Sequence, residues 1–328
     1  MLRIFHNTRF DFIRWWRVAA GLTVAFIVLG LASFGYGGMN YSIEFTGGTL
    51  QQLAFRQAPN VGDIRSTLDR AGIRGAEIQQ YGSPTEFTVR ARDEAQVAEQ
   101  GAGAAAVGRR IQAALQQRFG ADAFRVVRTE AVGPRVGAEL RRGAVIAVLL
   151  GSLITLIYLA IRFEWRFGLA AVLATGHDVL VTIAFIKLMN LEVSLTIVAA
   201  ILTLLGYSMN DTIIIFDRVR EDLRLKRKES LTTTLNRAIN ETLPRSVLTH
   251  ATTLAATLAL LIFAGEVIRP FAWVMAFGVF VATFSSIYVA GPLLLWIERT
   301  WPRRAVASPA RATVRGTPEA EIQPVATR

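Results

Sequence analysis

Cysteine is absent from all 328 residues. No disulfide can form, and no thiolate can bind a metal or act as a nucleophile. Histidine is scarce, limited to His6, His177 and His250. These are scattered, and no H-E-x-x-H or comparable ligand spacing occurs, so no metal site is expected. There is no G-x-x-x-x-G-K-[ST] phosphate loop, and Gly47–Gly48 does not substitute for one. No G-x-S-x-G nucleophile elbow occurs either. The chain therefore offers no site for ATP, no cofactor is expected, and any work it does must draw on another energy source.

What the sequence has in abundance is apolar length. Hydrophobic residues make up 52% of the chain and the mean hydropathy is +0.38, too apolar for an ordinary soluble enzyme. Six runs are long enough to cross a bilayer core about 30 Å thick. They are Val18–Tyr36, Ala144–Ile161, Gly168–Leu188, Val193–Phe216, Ser246–Ala264 and Phe271–Ile297. The net charge of +11 is explained by topology, because cytoplasmic flanks collect Lys and Arg. Basic residues crowd the N-terminal flank, residues 162–167, the connection between the fourth and fifth runs, and the tail. The intervening connections 189–192 and 265–270 hold only Arg269. Six crossings with both termini cytoplasmic are expected. No basic–aromatic interleaving supports nucleic-acid binding. The first run follows a basic stretch but is longer than a signal-peptide core and lacks a clear cleavage site, so it reads as an uncleaved anchor.

Four regions follow: residues 1–36 with the first crossing, an extracytoplasmic insertion 37–142, five crossings over 143–297 with a cytoplasmic loop 217–245, and a disordered tail 298–328. The insertion alternates strand-like and helix-like blocks. Residues 42–56, 76–80, 85–92 and 124–132 read as strands, and 61–70 and 93–119 as helices. That order, β-α-β-β-α-β, is the ferredoxin-like split βαβ pattern. Residues 217–230 read as a solvated segment. Leu231, Leu235, Ile239 and Leu243 recur every four residues, which predicts an amphipathic helix on the membrane surface, with the fifth crossing starting at Pro244. The fold class is thus an α-helical polytopic membrane protein with a small α+β extracytoplasmic domain.

Asp211 interrupts the fourth run. An ionisable carboxyl at bilayer depth is rare and faces a bundle interior, a partner or water. Gly206, Tyr207, Ser208, Asn210 and Thr212 surround it, and Thr203, Tyr207 and Ser208 extend a polar stripe along its helix. On the fifth crossing Arg245, Thr249, Thr252 and Thr253 share a face. Adjacent antiparallel helices would bring Arg245 opposite Asp211. A guanidinium beside a carboxyl favours its charged form, and withdrawing it favours protonation, so such a pair would couple proton binding to helix movement. A structural ion pair or a snorkelling arginine is the plainer alternative. His177 and Asp178 in the third crossing read either as a second relay station or as a packing hydrogen bond. Two intramembrane aspartates also suggest an aspartyl intramembrane protease, but the G-x-G-D signature is missing around both.

Several stretches together resemble the SecD/SecF family of protein-export membrane subunits, specifically its SecF type. Thr203–Glu221, TLLGYSMNDTIIIFDRVRE, is similar to the family's GYSxNDTxxxxDRxRE signature. His177–Asp178–Val179 resembles its HDV motif, VGPRVGAEL at 132–140 its VGPxxGxEL motif, and IEFTGG at 43–48 its DFxGG motif, with Phe45, Gly47 and Gly48 in place. Glu44 stands where the family usually has Asp, and Ala184 where Gly is common. The resemblance implies one six-helix half of a resistance–nodulation–division (RND) type transporter in the bacterial inner membrane. It implies SecD as the other half, with YajC, the SecYEG channel and translocating polypeptides as partners. It also implies that Asp211 and Arg245 belong to a pathway driven by the proton gradient. A small-molecule or lipid exporter of the same fold, or a scaffold that stabilises the channel, are the rival readings.

Overall fold

The computed structural model describes residues 8–91, 103–162, 164–225, 229–265 and 267–302. The expected tail beyond residue 302, and the start of the helix expected over 93–119, lie outside the described residues.

Six spans are long and apolar enough to cross a membrane. The first is α1 (Trp16–Ser33) with short 3-10 turns at both ends. Its residues Val18, Leu22, Val24, Leu29 and Leu31 are more than half exposed. A helix apolar on every side and exposed on most of it is suited to lipid. After α1, a single helical turn, α2 (Ile43–Thr46), leads into the insertion. The strand expected to begin at Ser42 therefore begins later. Gly47 and Gly48, at φ 73° and 124°, turn the chain from that helical turn into the first strand.

The insertion holds β1 (Gly48–Phe55), α3 (Val61–Arg70), β2 (Glu77–Gln80), β3 (Glu86–Ala91), α4 (Gly103–Phe119) and β4 (Phe124–Val132). The sheet order is β2-β3-β1-β4, all antiparallel, as a split βαβ unit requires. Leu53, Ile64, Leu68, Val89, Ile111 and Leu115 fill its core with essentially no exposure. Gly108, which weakens α4 by propensity, lets that helix approach β1 so that Gln51 Nε2 donates to the Gly108 carbonyl at 3.0 Å.

The other crossings are α5 (Pro134–Arg162), α6 (Trp165–Leu188), α7 (Leu195–Leu225), α8 (Leu231–Phe263) and the pair α9 (Arg269–Tyr288) and α10 (Ala290–Thr300). Helices α6, α7 and α9 carry most of the buried residues and form the centre of the bundle.

Two sequence expectations change here. The run 231–243 is not a surface helix. It continues through Pro244 into one helix of 33 residues, and Leu235, Ile239 and Leu243 are buried in the main core. The fourfold spacing marks a face packed on protein rather than on lipid. The segment 217–230 is likewise not simply solvated. Helix α7 continues to Leu225, and Asp222 accepts from Arg237 Nε at 2.7 Å while Arg218 donates to Glu241 at 2.5 Å. These ion pairs tie the ends of α7 and α8 together.

Ala184 has a structural counterpart. A Cβ built on Gly30 would lie 2.3 Å from Ala184 Cβ and 2.8 Å from its Cα. The absent side chain on α1 accommodates the methyl group on α6. We expect Gly30→Val to destabilise the α1–α6 contact by about 1–3 kcal/mol, read as a lower thermal midpoint of the purified chain. Adding Ala184→Gly should restore part of it. Independent additive effects of the two substitutions would contradict the contact.

Candidate functional site

Asp211 sits on the inner face of α7, 4% exposed. Its Oδ1 accepts from Ser246 Oγ of α8 at 2.5 Å and its Oδ2 from Ser286 Oγ of α9 at 2.8 Å. Three helices therefore meet on one carboxyl group. Ser286 Oγ also lies 3.0 Å from the Thr283 carbonyl.

Arg245 is not opposite Asp211. Its neighbour Ser246 is, and successive helical residues point about 100° apart, so Arg245 turns away. It is exposed and lines an open groove of about 610 Å³ with Ile214, Asp217, Glu221 and Thr242. Among the described residues it forms no ion pair with Asp211.

The polar stripe expected on α7 splits in two. Ser208 and Thr212 are buried with Asp211. Thr203, Gly206 and Asn210 are exposed, and Tyr207 is half-buried. Tyr207 donates from its hydroxyl to the Thr249 carbonyl at 3.3 Å. On α8, Thr252 is exposed like Arg245, and Thr249 between them is half-buried. A polar face of α7 and α8 is thus open at membrane depth.

Nearly one turn back along the same face of α7, Asp178 of α6 is 6% exposed. Its Oδ1 is 2.9 Å from His177 Nδ1, and its Oδ2 accepts from Ser208 Oγ. Ser208 and Asp211 are three residues apart on α7, neighbours on one face, so the two carboxyl groups are reached from the same face of that helix. His177 Nε2 is buried and has no hydrogen-bond partner among the described residues. His250 bonds through Nδ1 to the Ser246 carbonyl at 2.7 Å and packs edge-on to Tyr207. Among the described residues no cluster of His, Asp and Glu could hold a metal ion.

The IEFTGG motif lies at the opposite end of α7. Glu44 Oε2 accepts from the Leu195 backbone N–H at 2.6 Å, where a carboxylate meets the unpaired donors and positive end of the helix. Phe45 is buried. Val193 N–H donates to the Asn40 carbonyl at 2.7 Å and Ser42 N–H to the Val193 carbonyl at 2.9 Å. Arg90 of β3, 6% exposed, pairs with Glu192 at 2.5 Å and Glu77 at 3.0 Å. Lys187 Nζ donates to the Gly37 and Gly38 carbonyls. The VGPRVGAEL motif closes the same joint. A Cβ on Gly137 would come within 3.0 Å of the Gly47 nitrogen and 3.3 Å of the Glu44 carbonyl oxygen.

Sequence reasoning missed Ser246, Ser286, Arg90 and Glu192. A Ser-Ser pair at 285–286 inside an otherwise apolar run was the signal for Ser286. Nothing local marks Arg90, whose role depends on where β3 falls against the α6–α7 loop.

Residues 111–300 match the family model described as "Protein export membrane protein SecD/SecF, C-terminal". The chain is 68% identical over 318 residues to a protein translocase subunit SecF of Gemmatimonas aurantiaca, covering 96% of this chain and 95% of that one. It is 38% identical to the SecF of Vibrio alginolyticus, covering 87% and 88%. Its structure is similar to that of SecDF, a translocon-associated membrane protein from Thermus thermophilus, at a TM-score of 0.78 and 38% identity. That match covers 89% of this chain and 39% of the SecDF chain. SecDF in a super-membrane-facing form matches at 0.65, also with 38% identity.

Proposed function

Because this chain belongs to the SecD/SecF family of protein-export membrane proteins, we propose that it is an auxiliary subunit of the Sec translocase driven by the proton gradient. It acts with SecD, YajC and the SecYEG channel to promote export and release of polypeptides across the bacterial inner membrane, with both its termini cytoplasmic. It performs no covalent chemistry and takes no cofactor.

The observation that carries the proton reading is the pair of hydroxyls on Asp211. When Asp211 is ionised, Ser246 and Ser286 both donate to it. When Oδ2 is protonated, its O–H donates to Ser286 Oγ, and the serine proton turns to the Thr283 carbonyl at 3.0 Å. A hydroxyl can donate and accept, so each state keeps its partners. A proton can therefore come and go without leaving an orphaned buried polar group, which would cost about 1–3 kcal/mol.

The exposed polar face carrying Asn210, Arg245 and Thr252 needs cover within a bilayer. SecD supplies it, consistent with a SecDF chain of which this one spans 39%. Arg245 then acts across that interface rather than within this chain. Coupling to the extracytoplasmic domain runs along α7. Leu195 and Asp211 are separated by about 24 Å of helix, and the Leu195 end is gripped by Glu44.

The test uses inverted membrane vesicles depleted of this chain and a preprotein arrested late in export. Adding the chain back should speed completion several-fold with a proton gradient and have no effect with an uncoupler. Stimulation that survives the uncoupler would refute the proton reading. No stimulation under either condition would refute the export role.

A further inference from the structure

A cleft of about 860 Å³ opens between α1, α6 and α10 at the Arg-rich end of the bundle. It does not include Asp211, and it meets the candidate site only at His177. Its mouth holds Arg14, Arg17 and Arg299, and its body is formed by residues such as Val24, Leu173 and Leu293. Trp16 and Trp296, 41% and 54% exposed, also line it, with the amphipathic character that places tryptophan at headgroup level.

The cleft exists because α1 is gripped unevenly. Near its far end Gly30 lies against Ala184 with no room for a side chain. At the Arg-rich end, the chain before α1 is held instead by α8: Asn240 Oδ1 accepts from Phe10 N–H at 2.9 Å, and Asn236 Oδ1 from Ile13 N–H at 3.1 Å. Between these two anchors α1 stands away from α10.

We propose that this cleft binds one anionic phospholipid of the adjoining leaflet. The charge balance favours that occupant. Among the described residues, none of the three arginines is in an ion pair. Asp11, the one carboxylate among the lining residues, already accepts from Asn236 Nδ2 at 2.8 Å and Arg14 N–H at 3.2 Å. Guanidinium groups suit a phosphodiester, to which they donate in parallel pairs. Trp16 and Val24 are eight residues apart, about 12 Å along the helix, so an acyl chain entering below the headgroup runs along Ala20, Val24, Leu173 and Leu293, the wall's polar groups being the His177 ring, the Tyr288 and Thr232 hydroxyls and the Thr23 hydroxyl. That hydroxyl is already within 3.2 Å of the Ala19 and Ala20 carbonyls. A soluble anion would match the arginines but leave the apolar body empty. An apolar peptide would match the body but leave the arginines unpaired.

The test is native mass spectrometry of the full-length chain with added palmitoyl-oleoyl phosphatidylglycerol or phosphatidylcholine. Phosphatidylglycerol should be retained about tenfold better, as expected for several basic contacts at a membrane surface. The preference should vanish in R14Q/R17Q/R299Q and persist in R65Q/R220Q/R224Q. Leu293→Trp fills the body without touching the arginines and should also abolish retention. Equal retention of the two lipids, or equal loss in both triple variants, would overturn the proposal. A photo-crosslinker placed at Leu293 should yield lipid adducts in native membranes. Peptide adducts instead, whether from this chain's own termini or from another subunit, would equally overturn it.

Discussion

Asp211→Asn should abolish the gradient-dependent part of export while leaving the protein folded and assembled. The amide has the shape of the carboxylate. Its Oδ1 can accept from Ser246 Oγ, and its Nδ2 can donate to Ser286 Oγ while Ser286 turns to the Thr283 carbonyl, using the contacts present at 2.5, 2.8 and 3.0 Å. Asparagine thus mimics the protonated state with all partners satisfied, but it cannot release a proton. In the vesicle assay, completion should fall to the rate seen with uncoupler. The thermal midpoint should shift by no more than a few degrees, because no buried group is orphaned. Undiminished gradient stimulation with normal assembly would remove Asp211 from the proton pathway. A collapse of assembly together with activity would instead make it a packing residue that holds α7, α8 and α9 together.

The crossings and the ferredoxin-like insertion could be read from the sequence because each depends on local pattern. Six apolar runs set the bundle, and alternating blocks with Gly-rich turns set the sheet. The site was only half legible, and α8 shows why. It carries two polar stripes, one through Arg245, Thr249 and Thr252 and one through Thr242, Ser246, His250 and Thr257. Composition favours the first, because it holds the only charge. The structure buries the second. An arginine facing an aspartate satisfies pairwise electrostatics, but a bundle centre more readily takes short hydroxyls, which bury with less desolvation than a guanidinium. Which stripe turns inward depends on how α8 packs against α9, and no local pattern encodes that. Glu44 poses the opposite problem. Its motif was visible, but its contact with Leu195 joins residues 151 apart, so its work at the head of α7 emerged only from the fold. The extra methylene relative to aspartate does not prevent that contact, which is 2.6 Å long.

Ser286→Ala should separate proton exchange from packing at the same site. The substitution removes one oxygen from a residue 1% exposed. It leaves Ser246 as the only hydroxyl contacting the Asp211 carboxyl among the described residues. The ionised state then loses one of two donors, and the protonated state loses the acceptor for its O–H. The loss costs about 1–3 kcal/mol for the neutral acid and more for the charged carboxylate, so the two states are no longer evenly served. Gradient-stimulated export should fall roughly tenfold, the change that about 1.4 kcal/mol produces in a rate. Export without a gradient should be unchanged. Ser286→Thr keeps the hydroxyl on a helical backbone that accommodates it, and it should recover most of the lost rate. A difference-infrared carboxyl band that disappears in Asp211→Asn should shift in frequency in Ser286→Ala and return toward its original position in Ser286→Thr. A purely structural serine would lower the thermal midpoint in the alanine variant and leave that band where it was. That outcome would confine proton exchange to Asp211 and whatever SecD brings to the exposed face of α7.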